Sequence, residues 1–286
     1  MKLTSNEVVL ITGCGSGIGK ALAWAFHRQG FKVCATARRV ATMDDLSKDG
    51  MLTCAMDVTQ AEDIARVLGQ LKADGLSVGM LVNNAGYGAM GPLLDVPDAQ
   101  WQRQFDVNVF APMALTRAVL PSMIALGRGT VVNISSVSGV MPTPFAGAYC
   151  ASKAALNALS DSLRMELRPL GIDVVTVQPG GIQSSFGDRA ADEVNMAADS
   201  PYQAIREGVL ARANESQSEA MPADAFADAL VLQLSSAQPP AMIRLGQKSS
   251  LMPFMKQALP TAWLDRILST RFQLDRLASR PTSRKA

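Results

Sequence analysis

The sequence predicts an α/β fold in which one doubly wound parallel β-sheet carries helices on both faces, followed by a C-terminal helical extension. Short apolar, β-branched runs alternate with helical patterns through most of the chain, as is typical of parallel sheets with crossover helices. Glycine-rich or polar residues directly follow most of these runs, so they are expected at the carboxyl ends of strands. Ligands bind at that edge of such sheets.

Length and composition narrow the class of protein. A chain of 286 residues with 48% hydrophobic residues can bury a large core, and we predict one domain over residues 1–246 with an extension over 247–286. The net charge of +2 argues against nucleic acid as the main partner. The single histidine, His27, argues against a histidine-based metal site or a Ser-His-Asp triad, and we expect no bound metal.

The cysteines and the N-terminal residues indicate the compartment. Four cysteines are scattered without C-x-x-C spacing, as expected for reduced thiols. Residues 1–7 lack the apolar region of a signal peptide, and no apolar run reaches the length of a membrane span. These features predict a cytoplasmic protein.

The first strand, loop and helix predict a dinucleotide site. A β-branched run at residues 7–12 leads into the glycine-rich loop 13–19, and a helical pattern follows over residues 20–30. The glycines let the backbone approach a pyrophosphate, which the amides and dipole of the helix N-terminus stabilise. Glycine turns also occur for steric reasons alone, but the strand-to-helix position favours the dinucleotide interpretation.

The end of the second predicted strand, residues 31–37, indicates which dinucleotide is bound. NAD enzymes of this fold carry an acidic residue there that binds the ribose 2′-hydroxyl. Here Ala37 stands at that position, and Arg38 and Arg39 follow. Because a guanidinium can pair with a 2′-phosphate, the sequence predicts NADP(H) in preference to NAD(H). The simpler alternative is a solvated basic pair.

The remaining elements continue the alternation. A polar stretch over residues 183–220 is predicted to form a helical flap over the site. Strands are predicted at 51–56, 78–82, 130–134, 173–177 and 242–245, and helices at 60–73, 222–234 and 98–126, the last broken at Pro112 and Pro121.

Tyr149 and Lys153 lie four residues apart in a helix-forming stretch, so they are predicted to share one helix face. A tyrosine has a pKa of about 10, and bringing it to about 7 requires a preference of about 4 kcal/mol for the phenolate. An ammonium one turn away is a source of that preference. Taken alone, the pair is also compatible with a solvated helix face.

Together these motifs resemble the short-chain dehydrogenase/reductase family over about residues 5–246, and the resemblance implies a Rossmann-type sheet. Residues 12–19 look like its T-G-x-x-x-G-x-G loop, residues 83–86 like its N-N-A-G segment, and residues 149–153 like its Tyr-x-x-x-Lys signature. The Thr-Gly-Cys opening, the Ala-Thr-Ala-Arg run ending at Arg38 and the long C-terminal segment resemble the steroid- and retinol-dehydrogenase-type members.

The resemblance implies four catalytic residues. Tyr149 would donate a proton to a substrate carbonyl as hydride arrives from the nicotinamide, and Lys153 would lower the pKa of Tyr149 and hold the ribose hydroxyls. Ser136 would position the carbonyl oxygen, and its spacing to Tyr149 favours it over Ser135. Asn108 would fix a water that links Lys153 to solvent.

The resemblance also implies the cofactor contacts. Gly15 replaces a serine common in the subgroup, which leaves Ser16 as the expected phosphate contact, and Ser184 stands where a threonine is usual near the carboxamide. The predicted cofactor-binding residues are Gly13, Ser16, Gly17, Ile18, Gly19, Arg38, Arg39, Asp57, Val58, Asn84, Ala85, Gly86, Tyr149, Lys153, Pro179, Gly180, Ile182 and Ser184.

Three functional hypotheses stay open. The first is an NADP(H)-dependent carbonyl reductase or alcohol dehydrogenase for a small apolar or bulky substrate. The second is an NADPH-binding sensor or regulatory protein with little turnover. The third is a sugar-nucleotide epimerase, whose usual glycine spacing and larger substrate domain are absent here. The residues predicted to border the substrate pocket are Met90, Met141, Phe145, Phe186 and Met196.

Two surfaces are predicted to bind partners. Ala154, Ala155, Ala158 and Leu159 would let a second helix approach closely, which predicts a homodimer or homotetramer through the Tyr149 helix, with packing inside the monomer as the alternative. The second surface is the tail from residue 241, whose nine basic and two acidic residues give a net charge of +7.

Residues 260–277 of the tail are predicted to form two short helices or a helix broken near Ser269, because Arg271 interrupts their apolar arc, and the residues after Arg280 are predicted to be disordered. It is expected to dock on the protein over the substrate mouth or to make weak peripheral contact with an anionic membrane. The residues of the arc are Trp263, Leu264, Ile267, Leu268, Leu274 and Leu277.

Overall fold

The chain folds around one seven-stranded parallel sheet in the computed structural model, which describes residues 3–184, 194–215, 220–236 and 238–277. The strand order is β3-β2-β1-β4-β5-β6-β7, so the order reverses beside β1, where a ligand crevice is expected. The strands are β1 Glu7–Thr12, β2 Val33–Ala37, β3 Leu52–Ala55, β4 Ser77–Asn83, β5 Gly129–Ile134, β6 Ile172–Pro179 and β7 Met242–Leu245.

Helices cover both faces of the sheet, as the sequence predicts. The α-helices are α1 Gly17–Arg28, α2 Asp44–Lys48, α3 Ala61–Ala73, α4 Asp98–Phe105, α5 Ala111–Leu126, α6 Gly147–Leu167, α7 Arg206–Asn214, α8 Ala223–Leu234, α9 Leu251–Ala258 and α10 Thr261–Arg271. On one face α1 and α8 pack on the sheet, and on the other α3, α5 and α6 do so. The strands that lie between these layers are buried on both sides and therefore read as continuous apolar runs.

The long helical segment over residues 98–126 differs from the prediction. It is helical throughout, with a π-helical turn at Asp106–Phe110 between α4 and α5, so the predicted breaks at the two prolines are wrong. Pro112 lies in the first turn of α5, where it is well tolerated, and Pro121 lies on the exposed side, where water can reach the freed carbonyl. By length and composition alone the segment could cross a membrane, a property it shares with core helices of soluble proteins.

Within residues 260–277, helix α10 continues through Ser269 to Arg271 and a 3₁₀ turn follows at Leu274–Arg276, so the segment contains two short helical stretches and its break falls at residues 272–273. A further helix, α9, precedes this segment. Leu264, Leu268 and Phe272 are buried against the protein, because they face a second apolar cluster. That cluster includes Met141, Phe145, Ile205 and Val209. The expected disorder after Arg280 concerns residues outside those that the structure describes.

The described part of the flap is partly helical, with a 3₁₀ turn at Gln203–Ile205 and the helix α7. Asn195 ties it to the rim of the sheet, since its backbone N–H donates to the carbonyl of Met90 over 2.9 Å and its side chain exchanges two hydrogen bonds with Gln100. The flap therefore stands at the carboxyl edge of the strands, beside the ligand crevice.

Candidate active site

A cleft of about 730 Å³ opens at the carboxyl ends of the central strands. Its walls come from the loops after β1, β2, β4, β5 and β6, from α6, and from the segments that follow β7 and α7. Of the residues predicted from the sequence as catalytic or cofactor-binding, all except Asn108 line this cleft. The predicted site is therefore assembled in one place, while the role of each residue stays a prediction.

The glycine loop leaves room for a ligand because side chains are excluded from it. Gly13 and Gly17 adopt positive φ angles of 76° and 56°, which favour glycine. A Cβ atom at Gly19 would collide with the carbonyl of Gly13 and the amide of Asn84, and one at Gly13 would lie 2.9 Å from the Cα atom of Ala85. The loop and the N-terminus of α1 thus offer backbone amides in a cradle that fits a pyrophosphate.

Thr12 opens the T-G-x-x-x-G-x-G motif but was not among the residues predicted to form the site. Its hydroxyl oxygen accepts hydrogen bonds from the backbone amides of Asn84 at 3.0 Å and Ala85 at 2.9 Å. The Asn84 side chain in turn donates to the Thr12 carbonyl over 2.8 Å. Thr12 therefore fixes the end of β4 against the glycine loop, and the signal that marks it is its position as the last residue of β1.

The far end of the cleft carries the groups predicted to bind the adenosine part. Arg38 and Arg39 are exposed, and neither forms an ion pair with any residue in the described parts of the chain. Asp57 is held in place by Thr59, whose amide and hydroxyl donate to its Oδ1 atom over 3.0 Å and 2.7 Å. Two positive charges are thus available at this end for an anionic group such as a 2′-phosphate.

The serine after β5 that contacts Tyr149 is Ser136. Its side chain forms a hydrogen bond with the Tyr149 hydroxyl and accepts one from the amide of Ser138 over 3.1 Å. The hydroxyl of Ser135 is directed elsewhere, because it donates to the carbonyl of Lys153 over 3.2 Å. Of the two serines, Ser136 is thus the one in contact with the Tyr149 hydroxyl, and its catalytic role stays a prediction.

Burial dominates the pKa values of the catalytic pair. It raises the pKa of Tyr149 to about 12; the hydrogen bond with Ser136 and the charge of Arg212 lower it, and Cys150 raises it further. Burial also lowers the pKa of Lys153 to about 8. Desolvation favours the neutral form of each group, and the lowering of the Tyr149 pKa by Lys153 stays a prediction. At neutral pH Tyr149 keeps its proton, as a proton donor must.

Lys153 and Asn108 both lie next to Gly86. The Lys153 ammonium donates to the carbonyl of Ile134 over 2.8 Å, and a Cβ atom at Gly86 would lie 3.7 Å from Asn108 Oδ1 and 4.0 Å from Lys153 Nζ. The Asn108 side chain accepts from the amide of Tyr87 over 2.8 Å and donates to its carbonyl over 2.9 Å. Asn108 belongs to the π-helical turn, a feature common at functional sites.

The residues predicted to border the substrate pocket do not all line the cleft. Met90 lines the cleft, whereas Met141 and Phe145 are buried in the apolar cluster under α10, and Met196 packs against that cluster. The reason is that the tail supplies apolar partners for these residues, which no local pattern indicates. Phe186 lies outside the described residues.

The motifs also missed several charged residues that line the cleft. These residues are Arg103, Asp106, Arg212, Glu215 and Lys248. None belongs to a recognisable motif, and they come from α4, the π-helical turn, the end of α7 and the segment after β7. Their proximity arises only when these distant segments fold together.

Comparison with known proteins identifies the family. The profile of the family described as short chain dehydrogenase matches residues 7–195. An NADPH-dependent 1-acyldihydroxyacetone phosphate reductase from Schizosaccharomyces pombe is 36% identical over 237 residues, which cover 81% of this chain and 79% of that protein.

Solved structures agree with this match. A short-chain dehydrogenase from Streptomyces avermitilis has a TM-score of 0.76 and 30% identity, with 96% of this chain and 98% of that chain covered. A metagenomic short-chain oxidoreductase in complex with NADP has a TM-score of 0.64 and 30% identity, with 84% and 96% covered. The chain therefore belongs to the short-chain dehydrogenase/reductase family.

Proposed function

We propose that this protein is an NADP(H)-dependent oxidoreductase that interconverts a carbonyl and an alcohol on a small substrate with an apolar or bulky body. The observation that carries the proposal is the meeting of Tyr149, Ser136 and Lys153 in one cleft with a glycine cradle. A protonated phenol beside a hydroxyl group can supply and orient a proton for a carbonyl oxygen.

The preference for NADP(H) follows from the far end of the cleft. Arg38 and Arg39 are available for a 2′-phosphate, and no carboxylate stands at Ala37, where it would repel one. The relative from Schizosaccharomyces pombe is NADPH-dependent by name, and the metagenomic oxidoreductase was solved with NADP.

In the reduction direction, a nicotinamide cofactor held by the glycine loop and the neighbouring strand ends would supply a hydride to the carbonyl carbon. Tyr149 gives its proton to the carbonyl oxygen, so the C=O double bond becomes a C–H and an O–H bond. The Ser136 hydroxyl holds that oxygen near Tyr149, and the Lys153 ammonium stabilises the negative charge that develops as the proton leaves. Solvent then returns a proton to Tyr149.

The cleft wall next to Tyr149 suits an apolar substrate body. Met90 lines the cleft and belongs to a buried apolar cluster against which Tyr149 packs. The other members, Ala146, Cys150 and Ala213, are buried behind it and do not line the cleft. Met252 of α9 also lines the cleft. The substrate name of the Schizosaccharomyces pombe relative, an acylated dihydroxyacetone phosphate, combines an apolar chain with a ketone.

A screen of NADPH oxidation against steroids, retinoids, aldehydes, cyclic ketones and acylated ketones tests the proposal. We expect at least one class to be reduced with NADPH in preference to NADH. Tight NADPH binding without turnover on any class would instead favour a sensor or regulatory protein. For location, we propose the cytoplasm, with weak membrane contact through the tail.

A further inference from the structure

Arg212 is a buried charge in the substrate side of the cleft. It lies near the end of α7, is 5% exposed, and lines the cleft that contains Tyr149. Its Nε atom donates to the Thr143 hydroxyl, which belongs to the loop before the catalytic helix α6. Its charge acts on the reaction centre, since it is one of the groups that lower the pKa of Tyr149.

The positive charge of Arg212 is only partly neutralised by neighbouring carboxylates. Within the described residues its ion-pair partner is Glu215, at 3.9 Å. The same carboxylate pairs with Arg271 of α10 at 2.7 Å and with Lys248 at 4.0 Å. One negative charge is therefore shared among three positive charges, which leaves this cluster of four side chains with an excess of two positive charges.

Within residues 3–184, 194–215, 220–236 and 238–277, no group accepts a hydrogen bond from the terminal nitrogens of Arg212. Among the described residues, Thr143 is the hydrogen-bond partner of this guanidinium, and it uses only Nε. A buried guanidinium with free donors is costly unless an acceptor completes its hydrogen bonds. Lys248, on the same wall, adopts a left-handed backbone with φ of 60°, a conformation uncommon outside glycine.

We propose that Arg212, with Lys248 beside it, binds an anionic oxygen group of the substrate, a phosphate monoester or a carboxylate, while Tyr149 protonates the substrate carbonyl. The inference rests on the proposed function and names the substrate class: amphiphilic ketones or aldehydes with an apolar body and a terminal anion. The planar guanidinium can donate two parallel hydrogen bonds to such a group, and burial strengthens them.

The first test measures binding and needs no turnover. Calorimetric titration of the NADP⁺-loaded protein with octyl phosphate, octanoate and octanol compares two anions with a neutral molecule of matched chain. We expect one or both anions to bind about 10- to 100-fold more tightly than octanol, as charged hydrogen bonds allow, and the better anion identifies the group. Equal affinities for all three would overturn the inference.

Variants separate recognition from structural support. Arg212→Gln is expected to remove the preference for the anion, and Arg212→Lys to restore part of it, because a point charge lacks the fork of donors. Arg206→Gln, an exposed arginine on the same helix, serves as the matched control and should keep the preference. Equal weakening of all three molecules in Arg212→Gln would assign Arg212 a merely structural role.

A turnover measurement distinguishes this inference from the proposed function. The ratio of kcat/KM for dihydroxyacetone phosphate over dihydroxyacetone should exceed about 10 in the wild type and fall towards 1 in Arg212→Gln. Reduction of both ketones with equal efficiency would contradict the anion site and leave the reductase assignment intact. If anions bind preferentially but no carbonyl compound is reduced, the assignment as a reductase would be contradicted and the anion-site inference would stand.

Discussion

The two ends of the cleft are formed by different kinds of groups. The cofactor half, made by residues 13–19 and 84–86, uses backbone amides, glycines and short side chains at the ends of neighbouring strands. The substrate half, made by Arg212, Glu215 and Lys248, uses long charged side chains from segments far apart in the chain. The cofactor half cannot accept side chains at its glycines without displacement of the strands. The substrate half can change the ligand that it binds through substitution of a few side chains.

Packing at the glycines shows why the cofactor half is fixed. A side chain at Gly13 or Gly19 would strike the backbone or the amide at the end of β4, which Thr12 holds in place through two hydrogen bonds. Relief of such a collision requires the strands themselves to move, and close-packed strands do not move freely. The residues that determine which cofactor and which substrate bind therefore lie at the edges of the cleft.

The largest effect is expected at the edge of the cofactor half. Arg38→Asp should lower kcat/KM for NADPH by about 100-fold and raise it for NADH, because a carboxylate repels the 2′-phosphate and accepts hydrogen bonds from a free 2′-hydroxyl. The measurement is the ratio of kcat/KM for the two cofactors. Lys32→Asp, at an exposed position before β2, makes the same charge change as a control. A wild type that already prefers NADH would contradict the cofactor assignment.

The sequence motifs name residues that the fold brings together in the cofactor half, because these residues are close in sequence to strand ends. Tyr149 and Lys153 were found in the same way, four residues apart on α6. Arg212 was not, since its contact with Thr143 spans 69 residues and depends on how the flap packs. The prediction that Met141 borders the substrate pocket is wrong for the same reason, because the tail that buries this residue lies more than 100 residues away in the chain.

The next prediction concerns the catalytic pair, which lies between the two halves. Reduction should be independent of pH from about 6 to 7 and fall about tenfold per unit above the Lys153 pKa of about 8, because the ammonium loses its proton there while Tyr149, with a pKa of about 12, keeps its own. A profile of kcat/KM between pH 6 and pH 10 checks this, with NADPH affinity as the control. A constant rate up to pH 10 would show that the Lys153 charge is not required.

Association of copies would stabilise the helix that carries the catalytic pair. Ala154 and Ala158 are exposed on α6, and Ala155 and Leu159 are partly buried, so a second helix can approach this face. We expect a dimer or tetramer by light scattering at micromolar concentration, and dissociation in the double variant Ala154→Glu and Ala158→Glu. The exposed Leu232 on α8, changed to Glu, is the matched control. A monomeric wild type would refute this interface.

The smallest effect is expected at the tail, beyond the substrate half. Trp263 and Ile267 are 66% and 44% exposed, while Leu264 and Leu268 on the same helix are buried. Weak binding to anionic vesicles should therefore decrease in the double variant Trp263→Ser and Ile267→Ser and with added salt. These substitutions leave the buried face of α10 in place, unlike truncation of the tail.

Leu232→Ser, another exposed apolar position, is the control for the vesicle measurement and should bind as the wild type does. Absence of binding at low salt would leave docking on the protein as the function of the tail. Binding that survives the double variant would place the membrane contact elsewhere.

The transfer of a labelled hydride tests the central claim most directly. The protein is incubated with NADPH that carries deuterium at the transferred position of the nicotinamide and with a ketone reduced in the screen, and the alcohol is analysed by mass spectrometry. We expect one deuterium on the carbinol carbon of the product. With Tyr149→Phe we expect at least about 100-fold less product, while the affinity for NADPH stays within a few-fold of the wild-type value. Unlabelled product, or a tenth or more of the wild-type rate in Tyr149→Phe, would contradict the central claim.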